Sequence, residues 1–392
     1  MTAAIIITFC VLLLLAYFFD ITSPRTNIPA VILLLVSGWL VKQVSILFDF
    51  VIPDLTQLLP VLGTVGLILI VLEGSLEIEI NRSKIRMVRD AFLISLLSIL
   101  SLTFLVSFVL YKFTEQPFRI CIINAVPLCI ISSAIAISSA KNLSEHPREF
   151  ITYESSLSDI FGVLLFNFVI LNEGLSWSAV SQFSLQLLLI ILVSFISTLG
   201  LAFLLKRISH RVKFAPLILL IVLIYEVSKV YHLPSLVFIL LFGLIIGNID
   251  ELKQWKWLKN FEPQFLNREV HKFRDLVIEA TFLVRSVFFL LFGYLIETTE
   301  IINGETFLWA LAIVTTSFLM RFLFLKLLSL PFKPLLFFAP RGLITILLFL
   351  AIPDYERLLV INRSLITQVI ILTALVMMIG IILTKRANSP TT

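Results

Sequence analysis

Two carboxylates, Glu154 and Asp159, stand in the run Tyr153-Glu154-Ser155-Ser156-Leu157-Ser158-Asp159-Ile160-Phe161-Gly162, and the apolar stretch Val163–Leu171 continues the same segment. An ionisable side chain near a bilayer centre costs about 2.5–3.5 kcal/mol on the insertion scale, and such groups pair with one another or line an ion path. In a helix, Ser155 and Asp159 are four apart and share a face, as do Glu154 and Ser158. Glu154 and Asp159 are five apart, about 140° around the axis. That separation argues against a shared-proton dyad. It favours a division of labour, with one acid for structure and one for ion chemistry.

Three further charges fall within or at the ends of apolar segments. Arg341 follows a proline and precedes a glycine in Ala339-Pro340-Arg341-Gly342, inside an apolar segment. Proline and glycine there loosen a helix and free backbone carbonyls and amides. An Arg341–Glu154 pair at matched depth would lower the burial cost of both; alternatively Arg341 opens a short cytoplasmic loop. Arg285 lies about 12 Å into its segment, near the depth of Asp159, where it could orient or balance the acids. Glu73, in Leu72-Glu73-Gly74-Ser75, is either an interior ligand or an interfacial residue. A second interruption is expected where Pro127 precedes Ile130-Ile131-Ser132-Ser133-Ala134. Ser132 and Ser133 could offer hydroxyl or backbone oxygens there.

The elements that must position these residues follow from composition. The 392 residues are 59% hydrophobic and 14% charged, far from the mix of soluble domains. The chain therefore reads as an all-α integral membrane protein in one polytopic domain. Apolar runs long enough to span number thirteen: 4–19, 28–46, 58–76, 91–112, 118–140, 150–172, 182–205, 214–231, 234–247, 277–296, 307–329, 335–353 and 365–384. The N-terminal run lacks a basic flank and a small-residue cleavage site, so it reads as a first span rather than a signal peptide. Three cysteines without paired spacing argue against a disulfide framework or metal site. No nucleotide loop, nucleophile elbow or metal-ligand spacing is present, so neither an enzyme nor a bound cofactor is expected.

Lys and Arg set the orientation. Connections after odd-numbered segments hold 21 of the 30, connections after even-numbered ones five, and four lie within segments. The N-terminus is thus expected outside and the C-terminus in the cytoplasm, with the plasma membrane as the host. The net charge of +5 then needs no nucleic acid to explain it. Segments 4–6 correspond to 11–13 at an offset of seven, an odd number, so the two triplets run in opposite senses. Interrupted segments at matching places in inverted halves, here the fifth and twelfth, point to a transporter's binding site. In the long 248–276 connection, Trp255-Lys256-Trp257 suggests a short interfacial helix.

Thirteen spans, Glu-Ser-x-x-x-Asp on the sixth, Arg-Gly on an interrupted twelfth, and Gly63 with Glu73-Gly74-Ser75-Leu76 on the third together resemble a known group. They are similar to the sodium/proton antiporters of the monovalent cation:proton antiporter superfamily, in the NhaP-like and eukaryotic exchanger branch. The likeness runs over about 4–384. It implies a core of about 91–172 and 307–384 moving against a dimerising scaffold of about 4–76 and 182–296, without a soluble regulatory domain. It implies exchange of Na⁺ (or Li⁺ or K⁺) for H⁺, with Asp159 binding either one. Ser155, Ser158 and Glu73 would be nearby ligands or supports, and Glu154 and Arg341 a structural ion pair. Two positions depart from the group: Ser158 stands where relatives carry Asn or Asp, and Cys129–Ala134 lacks their acid. The first leaves one titrating carboxylate and favours electroneutral exchange. The second leaves room for a transporter of K⁺ or another solute, or for a non-transporting relative.

Overall fold

The computed structural model describes residues 2–26, 28–48, 58–78, 84–141, 143–172, 177–207, 214–231, 233–248 and 263–388. Among them it is all helical. The helices are α1 (Thr2–Thr26), α2 (Ala30–Leu47), α3 (Leu58–Glu77), α4 (Ile85–Thr114), α5 (Phe118–Cys129), α6 (Ser133–Ala140) and α7 (Glu145–Leu171). They continue with α8 (Trp177–Arg207), α9 (Phe214–Val230), α10 (Ser235–Gly247), α11 (Pro263–Leu295), α12 (Thr298–Ile302), α13 (Gly304–Leu327), α14 (Leu343–Ala351) and α15 (Arg363–Asn388). Each of the thirteen segments expected from the sequence falls on helix. Nine helical spans among the described residues are long and apolar enough to cross a membrane. The Trp255–Trp257 stretch lies outside the described residues.

Two of the segments divide. The fifth stops at Cys129, two residues beyond Pro127, runs extended through Ile130 and Ser132, and restarts at Ser133. The twelfth begins as a short turn of 3₁₀ helix at Leu335–Phe337 and becomes regular helix only after Gly342. Elsewhere local chemistry sets the ends. Asn303 caps α13 by accepting from the amides of Glu305 (3.1 Å) and Thr306 (3.4 Å), which meets donors that a helix start leaves unpaired. Glu297 and Glu300 form a reciprocal capping box around α12.

Contacts divide the chain into two compact units. One comprises 1–64, 91–162 and 283–392; within it α1 packs on α2 and α6, α5 on α14, and α13 on α15. The other comprises 65–90 and 163–282, where α8, α9 and α10 pack together. Large apolar side chains also point outward, among them Phe104 on α4, Leu188 and Ile196 on α8 and Leu308 on α13. An outer surface of this kind is stable against lipid and unfavourable against water. The chain is a multi-pass integral membrane protein. The two largest fully buried side chains, Arg321 and Arg341, lie in the first unit and are charged.

Candidate functional site

The two interruptions meet. The Ser132 amide donates to the Pro340 carbonyl at 2.9 Å, so each break supplies a partner that the other's missing helical turn left free. The contact depends on Gly342: a Cβ there would lie 2.8 Å from Ser132 Oγ and 2.7 Å from Ile135 Cδ1. Gly162 on α7 plays the same part for the first break, since a Cβ there would sit 2.2 Å from Ile130 Cδ1. The Ile131 amide, freed by the break, donates to Ser158 Oγ at 2.9 Å. Ser158 thus holds the extended strand of the break against α7.

Helix ends at the crossing receive opposite charges. The carboxylate of Asp159 sits at the start of α6, where Oδ2 accepts from the Ser133 amide at 3.3 Å and from the Ser133 hydroxyl. Arg341 sits at the end of α5: its Nε donates to the Leu128 carbonyl at 2.7 Å, Nη1 to Ala339 O at 3.1 Å, and Nη2 to Ser317 Oγ at 2.5 Å. Its backbone amide donates to Thr373 Oγ1 at 3.0 Å, tying the second break to α15. An anion at a helix start and a cation at a helix end both complement the peptide dipoles. Asp159 is 3% exposed, and its Oδ1 is buried without a hydrogen-bond partner among the described residues. Among the described residues no basic side chain pairs with it.

Glu154 is in the opposite condition. It takes a two-pronged ion pair from Arg321 on α13, with Nη2 to Oε2 at 2.8 Å and Nη1 to Oε1. Arg321 Nε is used as well, on Leu335 O at 2.8 Å. Both side chains are 2% exposed. This corrects the expected Glu154–Arg341 pair. Arg341 lies in the extended stretch after Pro340, beside the carbonyls that the end of α5 leaves open, and its guanidinium is consumed there. Arg321, one turn beyond Ser317 on α13, is the arginine that reaches Glu154. One helix face therefore carries both Ser317, which holds Arg341, and Arg321, which holds Glu154. The signal in the sequence was Ser317 and Arg321 at i and i+4 inside an apolar span.

The other expected residues are placed as follows. Ser155 lies buried one turn before Asp159, but its hydroxyl donates back to Ile151 O at 2.7 Å. Ser132 contacts the second break rather than Asp159. Arg285 does not reach Asp159; its Nη1 donates to Ala134 O at 3.3 Å and its Nη2 lies 4.0 Å from Asp20 Oδ1. The charge therefore supports α6, not the acid. Glu73, near the end of α3, is half-buried and belongs to the other compact unit. Sequence reasoning missed Asn124. Its side chain donates to Glu356 O at 2.7 Å and accepts from the Leu358 amide at 3.0 Å, which ties α5 to the turn that follows α14. Arg119 and Glu356 pair at 2.6 Å in the same place.

Broken helices that cross beside a buried, unpaired carboxylate in a polytopic bundle define a membrane transporter class. The chain belongs to a family within it: the model for the sodium/hydrogen exchanger transmembrane region matches residues 10–386. Among solved structures it is similar to the sodium proton antiporter MjNhaP1 from Methanocaldococcus jannaschii at pH 8. The two share 19% identity over 97% of this chain and 98% of that one, with a TM-score of 0.67. An electron-microscopy map of MjNhaP1 gives 18% identity over 99% and 96%, again at 0.67. At that identity the likeness establishes the fold. No curated protein sequence matches.

Proposed function

We infer that the protein exchanges a monovalent cation, Na⁺ in the first instance, for H⁺ by alternating access, with both competing for Asp159. The observation that carries this reading is the unpartnered Oδ1 of a buried carboxylate whose other oxygen is fixed by Ser133. A cation at Oδ1 would exchange water for carboxylate, hydroxyl and carbonyl oxygens. Protonation neutralises the carboxylate and releases the cation. A bare buried carboxylate is too costly to carry across, so only the loaded or protonated site moves, and coupling follows from competition. Glu154 is committed to Arg321, which leaves Asp159 as the exchanging carboxylate and supports one-for-one, electroneutral exchange. Ser155 is proposed as an accessory oxygen. The proposed moving core is α4–α7 with α13–α15, against a scaffold of the remaining helices in a homodimer. The N-terminus is proposed outside and the C-terminus in the cytoplasm of a plasma membrane.

The experiment is exchange in proteoliposomes under an imposed pH gradient, with Li⁺, Na⁺ and K⁺ in parallel. Wild-type protein collapses the gradient with Na⁺, and Asp159→Asn does not. Collapse by K⁺ alone would move the substrate to K⁺. Full exchange by Asp159→Asn would remove Asp159 from the mechanism.

A further inference from the structure

The hydroxyls of α7 around Asp159 are satisfied, with one exception. Thr152 Oγ1 donates to Arg148 O at 3.0 Å and Ser155 Oγ to Ile151 O at 2.7 Å, the local bond open to any serine or threonine inside a helix. Ser158 Oγ accepts from the Ile131 amide at 2.9 Å. Ser156 makes no such bond. Among the described residues, the buried side-chain oxygens of α7 without a hydrogen-bond partner are Ser156 Oγ and Asp159 Oδ1.

The two are neighbours on one face. Ser156 is 6% exposed, so it is nearly as deeply buried as Asp159. Residues three apart on a helix lie about 60° around the axis and about 4.5 Å along it, with Cβ atoms roughly 5–6 Å apart. Helical side chains lean toward the N-terminus, over the i−3 and i−4 positions. The carboxylate of Asp159 therefore lies over the turn that carries Ser156. Ser133 fixes Oδ2 at the start of α6, which leaves Oδ1 as the oxygen to share with Ser156. Neither of the two bonds the other. Buried oxygens left so are costly, and a cation that touches both removes the cost.

We propose that Ser156 is a ligand of the transported cation and sets which cation is preferred. Ser156 Oγ and Asp159 Oδ1 form the part of the cation's oxygen shell that α7 supplies. Hard cations take oxygen ligands, and the smaller ones give up water more reluctantly. Li⁺ and Na⁺ therefore depend on a replacement oxygen from the protein more than K⁺ does. The proposal rests on the antiport reading and adds to it a residue that determines specificity.

The test is exchange in proteoliposomes by Ser156→Ala and Ser156→Cys at a fixed alkaline pH, with Li⁺, Na⁺ and K⁺ titrated separately. The Cys variant nearly keeps the side-chain volume and replaces a hard oxygen with a soft sulfur. In both variants KM for Na⁺ is expected to rise about tenfold, the scale of one lost polar contact. KM for Li⁺ should rise at least as much and KM for K⁺ less, with maximum rates little changed. The rise in melting temperature that Na⁺ gives the detergent-solubilised protein should shrink in step, which reads binding apart from transport. An unchanged KM for Na⁺ would overturn the proposal. So would an equal rise for all three cations, or a fall in maximum rate with KM unmoved, as a purely structural serine would give. If Ser156→Ala does not fold, Ser156→Cys decides on the same readouts. Failure of the antiport reading is separate and shows as absence of exchange in the wild-type protein.

Discussion

Glu154 and Asp159 share a helix and near-complete burial, yet their surroundings differ in kind. Both oxygens of Glu154 are taken by Arg321, whose Nε donates to the Leu335 carbonyl. Asp159 has one oxygen held by Ser133 and one without a partner among the described residues. A buried charge is tolerable when paired and hydrogen-bonded and expensive otherwise. The first site is therefore closed to a new ligand, while the second gains free energy from any cation or proton that completes it. Burial alone does not mark an ion site; unfinished coordination does.

The largest way to break this contrast is to exchange the phenotypes. Asp159→Asn is expected to abolish exchange and leave melting in detergent unchanged or raised, because it removes a buried charge that no basic side chain balances. Glu154→Gln is expected to do the reverse in rank: it leaves Arg321 buried without a counter-charge, a loss on the order of 3–5 kcal/mol. Replacing the pair together, Glu154→Leu with Arg321→Met, should lose far less than either single change, because apolar substitutes of similar volume can match a buried ion pair. Thermal melting of the purified variants measures this. An undiminished melting temperature for Glu154→Gln would break the assignment of strut and site.

The sequence made the two acids legible, since any charge inside an apolar run is conspicuous. The two breaks were legible for a similar reason: Pro127 and Pro340-Arg341-Gly342 interrupt otherwise continuous segments. The partner of Glu154 was not. Matched depth along the membrane normal is all that counting residues supplies. Which arginine faces α7 depends on the azimuth of α13 and on the demand that the open end of α5 makes on Arg341. Both are tertiary facts. The part played by Ser158 was hidden likewise. Its mismatch with the antiporter pattern drew attention to lost acidity, whereas the structure gives its oxygen to the Ile131 amide.

That bond supplies a smaller test. Ser158→Ala leaves the Ile131 N–H buried and unsatisfied beside Gly162, a loss of about 1–3 kcal/mol. Ser158→Asn restores an acceptor and should recover most of it. The expected order of melting temperatures is wild type, then Asn, then Ala. Ala melting with wild type would show that the break is held by the Ser132–Pro340 bond alone.

The smallest effect is the sharpest probe of the open site. Ser133 donates twice to one oxygen of Asp159, from its amide and its hydroxyl, and both bonds favour the charged carboxylate. Ser133→Ala removes the hydroxyl and keeps the amide, so the proton gains relative to the empty anion. The same hydroxyl can turn its lone pairs to a bound cation, so its loss also weakens the cation. The two effects add. At fixed pH the cation KM should rise, up to about tenfold for a bond of roughly 1.4 kcal/mol, and the acid limb of the exchange curve should move to higher pH. Maximum rates at alkaline pH should change little, because proton competition fades there. A Ser133→Ala variant that loses maximum rate equally at every pH, with an unmoved acid limb, would make Ser133 a structural support of α6 and not a tuner of Asp159.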